Sequence, residues 1–170
     1  MRRVLLFLFV AMPLTTAPML VAPSHARSAG VWVWPVTGPV IRGYDPPDDP
    51  YGSGHRGIDI AAAVGTPVGA AEAGTVTFAG KVGGQLFVTV NHGEGLASTY
   101  SWVSQILVQK NDLVTRGQAI ALSGVGHPGS TVAHLHLGAK LAGVYVDPMA
   151  YLAPLSVAGM IRLAPLLLDG

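Results

Sequence analysis

The stretch Ala133-His134-Leu135-His136-Leu137 alternates imidazole and leucine. In a strand, successive side chains point to opposite faces, so His134 and His136 share one face while Leu135 and Leu137 pack behind them. The same short pattern extends outward along the chain. Thr75-Val76-Thr77-Phe78 alternates, Gly80 to Gly84 reads as a turn, and Leu86 to Val90 resumes with β-branched residues. Residues 98–103, 119–122 and 144–146 read the same way, and Val31-Trp32-Val33-Trp34 is strand-like upstream. Short strands punctuated by glycine predict a mainly β, antiparallel domain. Residues 105–114 read equally well as a turn of helix or another strand. Val64-Gly65-Thr66-Pro67-Val68 and Leu113-Val114-Thr115-Arg116-Gly117-Gln118 each set a polar turn before a strand, which suggests a duplicated β unit.

The whole chain has 170 residues and 17.5 kDa, enough for one domain with a sizeable core. It is 50% hydrophobic and 11% charged, with mean hydropathy +0.47 and formal charge +1, which excludes a disordered, highly charged chain. The absence of cysteine removes disulfide frameworks, thiolate zinc sites, iron–sulfur clusters and cysteine nucleophiles together. A near-neutral balance without basic runs argues against a nucleic-acid partner. Any metal must be held by histidine and carboxylate.

Four segments follow from composition. Met1-Arg2-Arg3, the apolar run from Val4 to Val10, and Ser24-His25-Ala26 form the parts of a secretory signal peptide over residues 1–26. Pro13, Pro18 and Pro23 interrupt any apolar helix long enough to be a retained anchor. The expectation is an exported chain, in the cell wall, periplasm or medium, with no stable membrane span after cleavage. Residues 27–51 are a Pro-rich lead-in that carries Asp45, Asp48 and Asp49 and reads as a segment able to lie across a site. Residues 52–152 form the β domain. Residues 153–170 are an apolar tail whose Leu166-Leu167-Leu168 is too short to span a bilayer.

Two clusters carry chemistry. His134 and His136 form the first, and Gly54-His55-Arg56-Gly57-Ile58-Asp59-Ile60 supplies the second. A bare His-x-His is as readily a solvated strand face, and His55 with Asp59 alone is as readily an ion pair. Ile58 and Ile60 would face a core and leave Asp59 on the opposite face. Taken together, the clusters offer imidazole nitrogens and a carboxylate, a donor set suited to Zn²⁺ with a position left open for water.

These residues resemble the LytM/lysostaphin-type zinc metalloendopeptidases that act on bacterial peptidoglycan. The carrying stretches are residues 54–59, residues 66–68 and 74–76, residues 126–137, and Val146-Asp147-Pro148-Met149-Ala150-Tyr151-Leu152. The resemblance implies an antiparallel β-sheet groove domain with a duplicated hybrid motif, a zinc ion, and peptidoglycan peptides as substrates. It further implies His55, Asp59 and His136 as zinc ligands and His134 as a catalytic residue beside the water. Two positions depart from the family. Trp102, in Thr99-Tyr100-Ser101-Trp102-Val103, stands where the family has a further catalytic histidine, and an indole N–H can donate but cannot act as a base. Leu137-Gly138 replaces an aromatic and a glutamate, a change in packing and groove shape. His92 is expected to be structural, and His127 is expected to be a loop residue, the alternative being that it swings toward the groove and replaces the missing imidazole. Two functions are compatible with this set. One is an exported zinc endopeptidase of peptidoglycan stems or cross-bridges. The other is a catalytically impaired domain that binds peptidoglycan or regulates another cell-wall hydrolase.

Overall fold

Alternating apolar positions build ten antiparallel strands in a computed structural model that describes residues 32–49 and 52–154. They are β1 Val40–Arg42, β2 Ile58–Ala61, β3 Pro67–Gly69, β4 Gly74–Val82, β5 Gln85–Gly93, β6 Leu96–Ile106, β7 Leu113–Val114, β8 Ala119–Ser123, β9 His134–Leu141 and β10 Val144–Val146. The sheet runs β1-β2-β9-β6-β5-β4-β7, with β10 on β9 and with β8 paired to both β3 and β6. Among the described residues the only helical element is a 3₁₀ turn, Pro148–Ala150, capped by Asp147 Oδ1, which accepts from Met149 N–H at 2.9 Å. The expected mainly β, antiparallel groove architecture is the one observed.

One face of the alternation makes the core. Ile58 and Ile60 of β2, Leu135 and Leu137 of β9, and Val88 and Val90 of β5 are fully buried, together with Tyr100 and Ile120. Burying each large aliphatic side chain contributes about 1.5–3 kcal/mol. The other face of β2 and β9 is then left to Asp59, His134 and His136.

The two echoed segments pair reciprocally. β3 of the first unit pairs with β8 of the second, with Val68 opposite Ala121, while β7 of the second pairs with β4 of the first, with Thr75 opposite Leu113. Ala70 N–H to Gln118 O, 2.9 Å, and Gly117 N–H to Ala70 O, 2.8 Å, stitch the turns together. Each unit thus completes the other.

Two local expectations are revised and one open reading is resolved. Residues 32–34 form no strand: Trp32 makes an isolated parallel bridge to Leu152, and Val33 N–H turns instead to Ala71 O. Their hydrogen bonds go to two different segments, so no ladder can extend. β4 continues to Val82, which confines the turn to Gly83 and Gly84. Residues 105–114 resolve into the end of β6, a turn in which Asp112 Oδ2 accepts from Gln109 N–H, and the short β7.

Residues 32–49 of the lead-in enter the fold, and Tyr44 donates to Tyr145 O at 2.8 Å. Val40 pairs with Ile60, adding β1 to the sheet edge, and Asp45 bridges His55 through two backbone hydrogen bonds. Trp32 is fully buried in the core. The proposed signal peptide, residues 1–26, and residues 155–170 of the apolar tail lie outside the described residues. Among those described, no helix is long and apolar enough to cross a membrane.

Candidate metal centre

The register of β2 against β9 sets the site. Ile58 lies opposite Leu137 and Ile60 opposite Leu135, so Asp59 falls opposite His136 on the other face, with Ala61 opposite His134. Asp59 Oδ1 and His136 Nδ1 are 2.9 Å apart. His55 approaches from the turn before β2, its Nε2 lying 3.0 Å from Asp59 Oδ1 and 3.0 Å from His136 Nδ1. The lead-in fixes its ring: His55 Nδ1 donates to Gly43 O at 2.6 Å, which leaves the lone pair on Nε2. Gly57 makes room for His136, because a Cβ there would sit 2.6 Å from His136 Nε2.

Electrostatics favour the charged carboxylate and the neutral ring. Burial raises the pKa of Asp59, but hydrogen bonds from His136 and His127, with the charges of His136 and His55, outweigh it and hold the carboxyl well below the ordinary range. Burial pushes His136 down, against the opposing pull of Asp59. A carboxylate and unprotonated imidazoles are the forms a metal requires.

His134 lies beneath this triangle with no exposed surface. Its Nδ1 donates to Val132 O at 2.8 Å, so its Nε2 is the acceptor, receiving the His127 backbone N–H at 3.3 Å and lying 3.8 Å from Asp59 Oδ1. Gly126, at φ +88°, leads into it; a Cβ there would come 2.2 Å from His134 Cε1.

The four residues singled out by sequence, His55, Asp59, His134 and His136, therefore converge. His127 joins them from the loop before β9, the alternative left open for it: its Nε2 is 3.0 Å from Asp59 Oδ2, and its ring centroid is 4.7 Å from that of His134. The available signal was a histidine set between Gly126 and Gly129 just ahead of β9, a loop short enough to return its ring to the strand. His55, Asp59 and His127 also form a looser set of donors within 4.8 Å of one another. His92 is structural as expected, bonded to Ala73 O at 3.0 Å and Ser98 Oγ at 2.8 Å.

Trp102 sits at a bulge. Ser101 still pairs with His136 on β9, whereas Val103 pairs with Ser123 on β8, and Trp102 between them has φ +64°. Its side chain helps to line a groove of 420 Å³ with Phe78, Phe87, His136, Lys140 and Tyr145. The Lys140 ammonium lies 4.4 Å from the Tyr145 ring centroid. Leu137 is fully buried, so its departure from the family pattern concerns packing.

The donor set fits zinc. Two nitrogens and one oxygen lie 2.9–3.0 Å apart. Bonds of about 2.0 Å at tetrahedral angles place ligand atoms ~3.3 Å apart, a small expansion.

Comparison with known proteins agrees. Residues 53–148 match the family described as Peptidase family M23. The Mycobacterium tuberculosis protein Rv2891 is 36% identical over 157 residues, covering 88% of this chain and 60% of the relative. The murein hydrolase activator NlpD of Salmonella dublin is 30% identical over 140 residues, covering 81% of this chain and 36% of the relative. The chain thus spans under two thirds of the length of these curated relatives. Among solved structures, a zinc-containing peptidase from Vibrio cholerae superposes with TM-score 0.59 at 30% identity, covering 68% of this chain and 38% of that one. The catalytic domain of lysostaphin from Staphylococcus simulans gives TM-score 0.55 at 29% identity, covering 64% and 87%. Family match, sheet and site agree, and the chain belongs to peptidase family M23, with a fold of the LytM/lysostaphin type.

Proposed function

We propose that this chain is an exported, zinc-dependent endopeptidase that hydrolyses peptide bonds in peptidoglycan stems or cross-bridges. The observation that carries this reading is the meeting of His55 Nε2, Asp59 Oδ1 and His136 Nδ1 within 3.0 Å of one another, beside an open groove. His55, Asp59 and His136 hold the metal, three protein ligands being the number that leaves a position for reaction. Zinc bound there supplies Lewis acidity at a carbonyl and ionises water near neutral pH.

The protein's own residues do the rest. Gly43 O fixes the His55 tautomer, and Val132 O fixes that of His134. With Nδ1 engaged, His134 Nε2 is the atom that accepts a proton from the attacking water and passes it to the leaving amine. The aromatic walls from Phe78, Phe87 and Trp102 orient an extended peptide along the groove. Export rests on the signal-peptide pattern of residues 1–26 and on the lipoprotein names of several relatives, such as the Escherichia coli lipoprotein YgeR.

A second reading has its own support. Trp102 occupies the place of a family histidine, and a relative is named as a murein hydrolase activator. In that reading the groove binds peptidoglycan and the partner is another cell-wall hydrolase. Incubation of residues 27–170 and Zn²⁺ with insoluble peptidoglycan, followed by mass spectrometry of soluble products, decides between them. New amino termini absent with His136→Ala establish the endopeptidase; zinc binding without release establishes the binder.

A further inference from the structure

Building on the endopeptidase reading, we infer that His127 is a second catalytic imidazole, filling from the loop before β9 the function that Trp102 cannot fill from β6. The rings of His127 and His134 meet edge to face at 4.7 Å, and the Trp102 ring lies edge to face with that of His127 at 6.2 Å. His127 thus neighbours both the buried base and the residue at the position the family gives to its further histidine.

His127 could reach an ion together with His55 and Asp59, but its place relative to the donor triangle differs from that of the other two imidazoles. His55 and His136 both meet Asp59 Oδ1, whereas His127 Nε2 meets the other oxygen, Oδ2. The His55 ring centroid is 4.8 Å from that of His136 but 6.3 Å from that of His127. His127 flanks the triangle without being one of its corners. Access separates it from His134 as well: the His134 side chain has no exposed surface, while that of His127 keeps 22%. Of the two, His127 has the more accessible ring.

Its chemistry there is donation. Two acceptors face the ring, Asp59 Oδ2 at Nε2 and Pro128 O at Nδ1, at 3.0 and 3.1 Å, and in the tautomer with its hydrogen on Nε2 the ring presents that hydrogen toward the centre. In hydrolysis the water oxygen bonds to the carbonyl carbon and the C–N bond breaks. One water proton ends on the amine and the other leaves from the new carboxylic acid. As negative charge gathers on the carbonyl oxygen, the His127 N–H is the donor that stabilises it, while His134 carries the proton in transit.

The test compares zinc-loaded wild type, His127→Ala, His127→Gln and the double variant His127→Ala/Trp102→His. The readouts are peptide release, zinc affinity by chelator competition, binding of a peptide phosphinate by calorimetry, and folding by circular dichroism. His127→Ala is expected to lower release ~10²–10³-fold and to weaken phosphinate binding in parallel, with zinc affinity retained. His127→Gln, which keeps an N–H, should lose less, and the double variant should regain activity over His127→Ala. Release at the wild-type rate by His127→Ala, or loss of zinc in step with loss of activity, overturns the inference and leaves the endopeptidase reading standing. A wild type that binds zinc and releases nothing overturns both.

Discussion

Asp59 and His136 face each other across β2 and β9, with Oδ1 and Nδ1 2.9 Å apart, and this pairing ties metal chemistry to strand register. A slip of one residue would turn Asp59 into the core and Ile58 or Ile60 out to the groove. The buried isoleucines and leucines behind the pair therefore hold the centre in place as firmly as the polar groups do.

Gly57 is the most sensitive neighbour. A methyl group there meets Leu137 O at 2.4 Å and the His136 ring at 2.6 Å, so one of them must move. Gly57→Ala is expected to weaken zinc binding about 10–100-fold, the range for disturbed support of a ligand. Chelator competition measures it; unchanged affinity would show that the ring shifts at no cost.

Zinc binding should appear as stabilisation. An ion that binds only the folded chain adds about 2.7 kcal/mol at a hundredfold excess over its dissociation constant. Thermal unfolding with and without Zn²⁺ should show the gain in wild type and none in Asp59→Asn, which lacks the carboxylate charge.

Tyr100 governs alkaline stability. Its hydroxyl is fully buried, where it accepts from Ala71 N–H at 2.6 Å and shares a hydrogen bond with Ser98 Oγ at 2.8 Å. Burial pushes its pKa up to about 12, despite these bonds. The unfolded chain then ionises first, so stability is intact below pH ~10 and falls as pH rises toward 12, by about 2–3 kcal/mol in all. Tyr100→Phe should flatten that decline in denaturant titrations across this range. It should also cost about 1–3 kcal/mol at neutral pH, because Ala71 N–H loses its partner.

Lys140 gives the groove a cation beside His136. If acidic stem peptides bind there, Lys140→Met should raise KM several-fold and leave kcat nearly unchanged, the sign of lost ground-state binding. A fall in kcat with KM constant would place Lys140 in the reaction instead.

The readable parts of this fold are those with one buried face. Leu135 and Leu137 behind His134 and His136, and Ile58 and Ile60 behind Asp59, impose a period of two that predicts strand, face and convergence together. β1 was not readable, because Val40 to Arg42 are all exposed and owe their strand to the open edge of β2. His127 was legible as a loop residue, but its approach to the site depends on how residues 126–130 fold back, which no periodicity reports. The backbone of Trp102 was equally hidden: its φ of +64° arises where β6 leaves β9 for β8, a property of three strands and not of the residue.

The contact between His55 and His136 joins positions 81 residues apart in a chain without cysteine. An ion gripping both would be a covalent-like cross-link, closing a loop whose entropy in the unfolded chain is worth about 4 kcal/mol in the chain-entropy account. Unlike a disulfide, such a staple ignores redox state and answers to metal supply. Loss of the ion would then loosen the protein and expose it to proteolysis, coupling its lifetime to metal supply.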